Sequence, residues 1–235
     1  MSDSRVIIAL DFNTKEEVKS FLEKFKDESL YVKVGMELFY SEGIEMVKMI
    51  KEMGHHIFLD LKLHDIPNTV KSAMKVLAKL DVDMINVHSS GSVAMMKAAI
   101  EGLEEGKTSD HRPKCIAVTC LTSLDQEVLD QELLIHENLN DVVLKWASNA
   151  KEAGLDGVVC SPLESKLIHD TIGSEFLTVT PGIRLASDSV NDQKRVTTPA
   201  MAKELTSSYI VVGRTITAAS DPYATYKKVL EDFQG

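Results

Sequence analysis

Apolar residues along this chain fall into two alternating rhythms. Short runs that are continuously apolar or alternate with period two occupy 6–11, 31–35, 56–62, 83–88, 114–119, 157–160, 177–181 and 209–212, and these read as strands. Between them lie charge-studded amphipathic stretches of helical period, at 15–25, 37–53, 70–80, 93–104, 141–153, 162–171, 199–205 and 222–232. Pro67, Pro162, Pro199 and Pro222 fall at or near helix starts, where a missing N–H does no harm. Gly54 and Gly154 stand where helices are closed. Eight strands alternating with eight helices predict an α/β chain folded as a (β/α)8 (TIM) barrel. With no linker or low-complexity tract, residues 1–235 are expected to form a single domain. A doubly wound open sheet is the alternative. It would favour a glycine-rich turn after the first strand, where Asp11-Phe12-Asn13-Thr14 stands instead.

The third strand carries the most chemistry. In Leu59-Asp60-Leu61-Lys62-Leu63 the leucines alternate with Asp60 and Lys62, so regular alternation sends both charged groups to one face. At the end of an otherwise apolar strand, that face is expected to open into an enclosed site. Opposite charges side by side keep each other ionised, which suits a lysine that delivers a proton. A structural ion pair at a strand end is the plainer reading of the same two residues.

Composition narrows the partners. A net charge of −10 argues against a general nucleic-acid or anionic-membrane binder, so any anionic metabolite needs a local basic cluster. No apolar run is long enough for a membrane span, and the polar start runs directly into a strand, so no signal peptide is expected. Three cysteines without metal-ligand spacing read as reduced, buried thiols, which points to the cytoplasm.

In a barrel the strand C-termini build the active site. Polar residues gather at those ends: Asp11, Lys33, Asp60 with Lys62, His88, the run Thr119 to Ser123, Arg184 and Arg214. The last two strands supply the basic cluster, with Gly213 permitting close backbone approach and Arg214 adding a planar donor pair. The polar segment 183–198 is long enough for a lid, and Gln193 within it could close over a phosphate. Surface arginines remain the alternative reading of Arg184 and Arg214.

The motif Asp60-x-Lys62-x-x-Asp65-Ile66-Pro67-Asn68-Thr69 resembles the signature of the orotidine 5'-phosphate decarboxylase family, in its bacterial, monofunctional form. The similarity runs through Ala9-Leu10-Asp11, Val32-Lys33-Val34-Gly35, Leu121-Thr122-Ser123, Thr180-Pro181-Gly182-Ile183-Arg184, Asp192-Gln193-x-Arg195 and Val212-Gly213-Arg214. Sugar-phosphate relatives share the Asp-x-Lys-x-x-Asp core, and Lys33 sets this chain apart from the magnesium-using branch, which typically carries an acid there. Thr215 departs from the proline that often follows Gly-Arg in the family.

The resemblance implies decarboxylation of orotidine 5'-phosphate to UMP without cofactor or metal. Lys62 would protonate C6, with Asp60 beside the departing carboxylate. Asp11 and Lys33 would meet the ribose hydroxyls, and Thr122 and Ser123 the pyrimidine edge. Gln193, Gly213 and Arg214 would hold the phosphate, with Arg184 nearby. It also implies a homodimer in which Asp65, with Ile66 and Thr69, enters the neighbouring subunit's site. The spacing is compatible with that, since Asp65 lies three residues, about 10 Å of extended chain, beyond Lys62.

Blander readings cover the rest. His64 and His88 are expected to be hydrogen-bonded structural histidines, His55 and His56 a solvent-edge pair, Trp146 packing, and the ten methionines core filling. A related sugar-phosphate lyase and a catalytically silent UMP-binding protein are the rival functions.

Overall fold

A computed structural model describes residues 4–185 and 197–235. The strands are β1 (Val6–Ala9), β2 (Tyr31–Gly35), β3 (His56–Leu63), β4 (Met84–His88), β5 (Lys114–Val118), β6 (Gly157–Val159), β7 (Leu177–Thr180) and β8 (Tyr209–Val212). Each pairs in parallel with the next, and β8 returns to β1 through Val6↔Ile210, Ile7↔Val211 and Ile8↔Val212, closing the barrel. The fold is the expected (β/α)8 barrel.

The helices of the first half are α1 (Lys15–Leu22), α2 (Met36–Glu42), α3 (Ile44–Glu52), α4 (Pro67–Leu77) and α5 (Ser92–Gly106). Those of the second are α6 (Gln126–Gln131), α7 (Leu139–Glu152), α8 (Pro162–Ile172), α9 (Pro199–Glu204), α10 (Arg214–Thr217) and α11 (Pro222–Gln234). The four prolines each open a helix, and Thr14 and Ser161 close capping boxes with Glu17 and Glu164. The stretch 37–53, read as one helix, is two. Gly43 takes φ 67° and ψ −157°, outside helical space, and breaks it.

Strand alternation separates two cores. Val6, Ile8, Val32, Val34, Ile57, Leu59, Ile85, Val87 and Ile210 face the helices and join the large outer cluster. Ile7, Ala9, Tyr31, Phe58, Met84, Ile116, Val179 and Val211 fill the barrel interior. Continuing upward on the interior parity, the first four strands turn polar towards their C-termini. Ala9 leads to Asp11, Tyr31 to Lys33, Phe58 to Asp60, and Met84 to Asn86 and His88. The register Ala9↔Lys33 and Gly35↔Asp60 then sets those groups on neighbouring strands side by side.

Candidate active site

The side chains of Asp11, Lys33, Asp60 and Lys62 form a row of alternating charge across the C-terminal mouth. Lys33 Nζ lies 3.4 Å from Asp11 Oδ1 and 3.5 Å from Asp60 Oδ2, and Lys62 Nζ donates to Asp60 Oδ1 at 2.7 Å. The row runs from open to enclosed: the Asp11 side chain is 59% exposed and that of Asp60 only 11%. Burial alone would raise the Asp60 pKa. The charges of Lys33 and Lys62, with hydrogen bonds from Lys62 and Asn86, outweigh it and hold the carboxyl below its usual range. Gly35 keeps the row open, because a Cβ there would stand 3.2 Å from Lys33 Nζ.

Asp60 and Lys62 meet, but not through regular alternation. The β3–β4 register passes from Leu59↔Ile85 to Leu63↔Val87, so β3 carries extra residues in a bulge. Lys62 lies inside it with φ 53°, a left-handed backbone uncommon for a residue with a Cβ. Its N–H is donated to Asn86 Oδ1 at 2.8 Å, and Asn86 Nδ2 donates to Asp60 Oδ1 at 2.7 Å. Asn86 is absent from the residues picked out by sequence motif. Its signal was present, as a lone amide on the interior parity of an apolar strand.

Beside the row, Ala9, Asp11, Lys33, Pro181, Gly182, Gly213, Arg214 and their neighbours line a cavity of about 270 Å³. Arg184, half-buried, and Arg214, exposed, are both among the residues that line it. The strand-seven exit is fixed by a bridge: Arg184 N–H donates to Thr197 O at 3.1 Å and Thr197 N–H to Gly182 O at 3.3 Å. Gln193, with Asp192 and Arg195, lies outside the described residues, as does most of segment 183–198.

The other expected site residues stand further off. Thr122 is half-buried and Ser123 exposed on the loop after β5, which ends at Val118, and neither lines the cavity. Asp65 is exposed and accepts Ile66 N–H at 2.6 Å; no bond joins it to Lys62 of its own chain. Ile66, 67% exposed, and Thr69 also face outward at the start of α4.

The histidine expectations are corrected. His64 and His88 meet ring to ring, centroids 5.6 Å apart, in place of the hydrogen bonds expected. His55 is no solvent-edge residue: it is 3% exposed, and its Nδ1 accepts Leu30 N–H at 3.2 Å. His56 Nδ1 is 2.6 Å from Asp83 Oδ1, half-buried at the opposite end of the barrel. All three cysteines are buried and none is in a disulfide, and burial pushes the Cys115 thiol up to about 12.

A larger hollow of about 740 Å³ opens at that opposite end, between Arg5, Tyr31, His56, Asp83, Arg112 and Tyr209. Around it Lys51 pairs with Asp83 and Arg112 with Asp156, His56 bonds Asp83, and Arg5 and Lys114 lie over the rings of Phe233 and Tyr209.

A closed parallel barrel with a charged row and a glycine–arginine wall at one mouth has the architecture of phosphate-handling barrel enzymes. Residues 4–229 match the family described as orotidine 5'-phosphate decarboxylase / HUMPS. The chain belongs to that family. An orotidine 5'-phosphate decarboxylase of Bacillus mycoides is 60% identical over 236 residues, covering 100% of this chain and 99% of that protein. The crystal structure of an orotidine 5'-phosphate decarboxylase from Lactobacillus acidophilus superposes with a TM-score of 0.87 at 47% identity, over 98% of this chain and 99% of that one. A crystal structure of an uncharacterised conserved protein from Geobacillus kaustophilus gives 0.88 at 49% identity, over 97% and 99%.

Proposed function

We propose that this protein decarboxylates orotidine 5'-phosphate to UMP, using its own side chains and no metal or cofactor. The carrying observation is the row Asp11–Lys33–Asp60–Lys62, found in a chain 60% identical along its length to named decarboxylases. Cleavage of the C6–carboxylate bond leaves its electron pair on C6 and releases CO2. Lys62 then gives C6 a proton, the ammonium becoming an amine that solvent reprotonates. An ammonium held 2.7 Å from a buried carboxylate is fixed in place, so its field acts on the developing carbanion without reorganisation. Asp60 orients Lys62 and stands beside the departing carboxylate.

Asp11 and Lys33 engage the ribose. Gly213 and Arg214 grip the phosphate with Gln193, and Arg184 adds positive charge to the same wall. The cavity there, about 270 Å³, is smaller than the ~300–1,000 Å³ of a typical ligand pocket and suits the phosphoribosyl end, leaving the pyrimidine over the charged row. Thr122 and Ser123 take the pyrimidine edge from the β5 loop. The whole chain serves as one catalytic domain in the cytoplasm. The active unit is a homodimer in which Asp65, Ile66 and Thr69 enter the partner's site, and their outward placement supports this.

The test is loss of orotidylate absorbance in EDTA. Full activity is expected in the chelator, while Lys62→Ala loses more than nine-tenths of turnover and still binds UMP. Activity abolished by EDTA and restored by magnesium would move the chain to sugar-phosphate chemistry. A tenth or more of turnover remaining in Lys62→Ala would remove the proton-donor assignment.

A further inference from the structure

We propose that Asn86 is a positioning residue for this reaction, one side chain that holds both the left-handed turn at Lys62 and the carboxylate of Asp60. The inference rests on the reading of Lys62 as proton donor. Asn86 sits in the middle of β4 with 0% exposure. A buried amide is costly unless both of its ends are bonded. Both ends are used, and both on the site: Oδ1 accepts the Lys62 N–H at 2.8 Å, and Nδ2 donates to Asp60 Oδ1 at 2.7 Å. The partners fix the amide's orientation, since an N–H needs the oxygen and a carboxylate needs the NH2.

The place of these bonds matters as much as their number. The bulge puts the four steps from Leu59 to Leu63 against the two from Ile85 to Val87. Inside that slip the Asn86 side chain supplies the acceptor for Lys62. A lysine at φ 53° persists only where its surroundings over-determine it. Asn86 does so from the neighbouring strand. It also decides how Asp60 divides its oxygens. Oδ1 receives Asn86 and Lys62, both at 2.7 Å, and Oδ2 is left to Lys33 at 3.5 Å. One amide therefore sets where the proton donor starts and which way its counter-charge faces.

The experiment compares full-length Asn86→Ala and Asn86→Asp with wild type and Lys62→Ala, measuring kcat, KM for orotidine 5'-phosphate and UMP affinity across pH. Misplacing a reacting group by about 1 Å can cost ~10²-fold in rate. Asn86→Ala is expected to lower kcat by roughly that factor, with KM and UMP affinity within about threefold of wild type. Its acid limb should move to higher pH, because Asp60 loses a donor that holds its carboxyl ionised. The groups facing Asp60 are otherwise unchanged: Lys33 from β2, Lys62 from β3 and His88 from β4, with Asp11 beyond Lys33 and His64 against His88.

Asn86→Asp keeps the shape and the acceptor for Lys62 N–H but sets a second carboxylate against Asp60. Two such groups repel while both are ionised and share one proton only as the pH falls. Its kcat should therefore be low at neutral pH and recover in part on acidification, a rise that Asn86→Ala lacks. Should the alanine variant not fold, this acid recovery decides the matter. A folded Asn86→Ala with kcat within threefold of wild type, a parallel loss of kcat and UMP affinity, or no acid recovery in Asn86→Asp would each overturn the proposal. If Lys62→Ala is itself active, the proton-donor reading fails first. If Lys62→Ala is dead and the Asn86 variants are not, Asn86 alone is at fault.

Discussion

His55 carries a titration that the fold opposes. Its ring is buried, its Nδ1 accepts Leu30 N–H, and burial, followed by the charge of His56, pushes its pKa below the usual value. The unfolded chain therefore takes up the proton first, near the ordinary pKa of about 6.5. Stability is complete above that value and is lost as pH falls from it towards the lower folded pKa. His88 acts in the same direction, whereas Asp60, also lowered, costs stability only in the carboxylate range. The melting temperature should thus fall between pH 7 and pH 5. His55→Asn, which keeps an acceptor but cannot titrate there, should show a shallower fall in scanning calorimetry. An unchanged slope would clear His55 of the effect. The burial of His55 was not legible from its own position, since a His-His pair before a strand looks like a solvent edge. Its partner is the backbone of residue 30, which pairing of β2 with β3 brings across. Asp11, Lys33 and Asp60 were legible because strand parity and strand ends are local properties; Lys62 was picked out by alternation, but a bulge brings it to Asp60. Asn86 was not picked out, because its value lies in a register slip that no spacing reveals.

At the scale of elements, the seam between α4 and α5 is set by the absence of side chains. A Cβ on Gly102 would stand 2.2 Å from Lys71 O and one on Gly106 2.2 Å from Lys75 O, so α5 packs directly on the carbonyls of α4. Backbone cannot step aside as a flexible side chain can. Gly102→Ala should cost about 1–3 kcal/mol, overpacking outweighing the ~1 kcal/mol gained in helix propensity. Urea denaturation would register this as a lower midpoint. A midpoint equal to or above wild type would show that the seam has slack. The eight strands and most long helices were readable because each keeps its period long enough to declare it. Gly43 divided one helix by its backbone alone. The helices α6 and α10, of six and four residues, have too few turns to show a period. α6 starts at a cap, Asp125 accepting Val128 N–H at 3.1 Å, that is clear only once the loop is seen.

For the molecule as a whole, the proposed sharing of Asp65 across a dimer makes a sharp demand on mixed assemblies. Lys62→Ala and Asp65→Ala should each be nearly inactive alone. A hybrid has one pocket with Lys62 from the Asp65→Ala chain and Asp65 from the Lys62→Ala chain, intact at both positions, while its other pocket carries both lesions. Mixing under conditions that exchange subunits should recover activity approaching half a wild-type dimer per hybrid. Verified exchange with no recovery would place Asp65 in its own chain's pocket.

The return of β8 to β1 sets an order of events in biosynthesis. Val6–Ala9 leaves the ribosome long before its second neighbour, Tyr209–Val212. Until that strand arrives, the nascent sheet has two open rims whose N–H and C=O groups can pair with any other extended chain. Closing the ring joins the most distant parts of the sequence and carries the largest loop-closure entropy, so it is a late step. The completed barrel has no rim to offer. Its exposure to misassembly is confined to the interval between synthesis of the first strand and docking of the last.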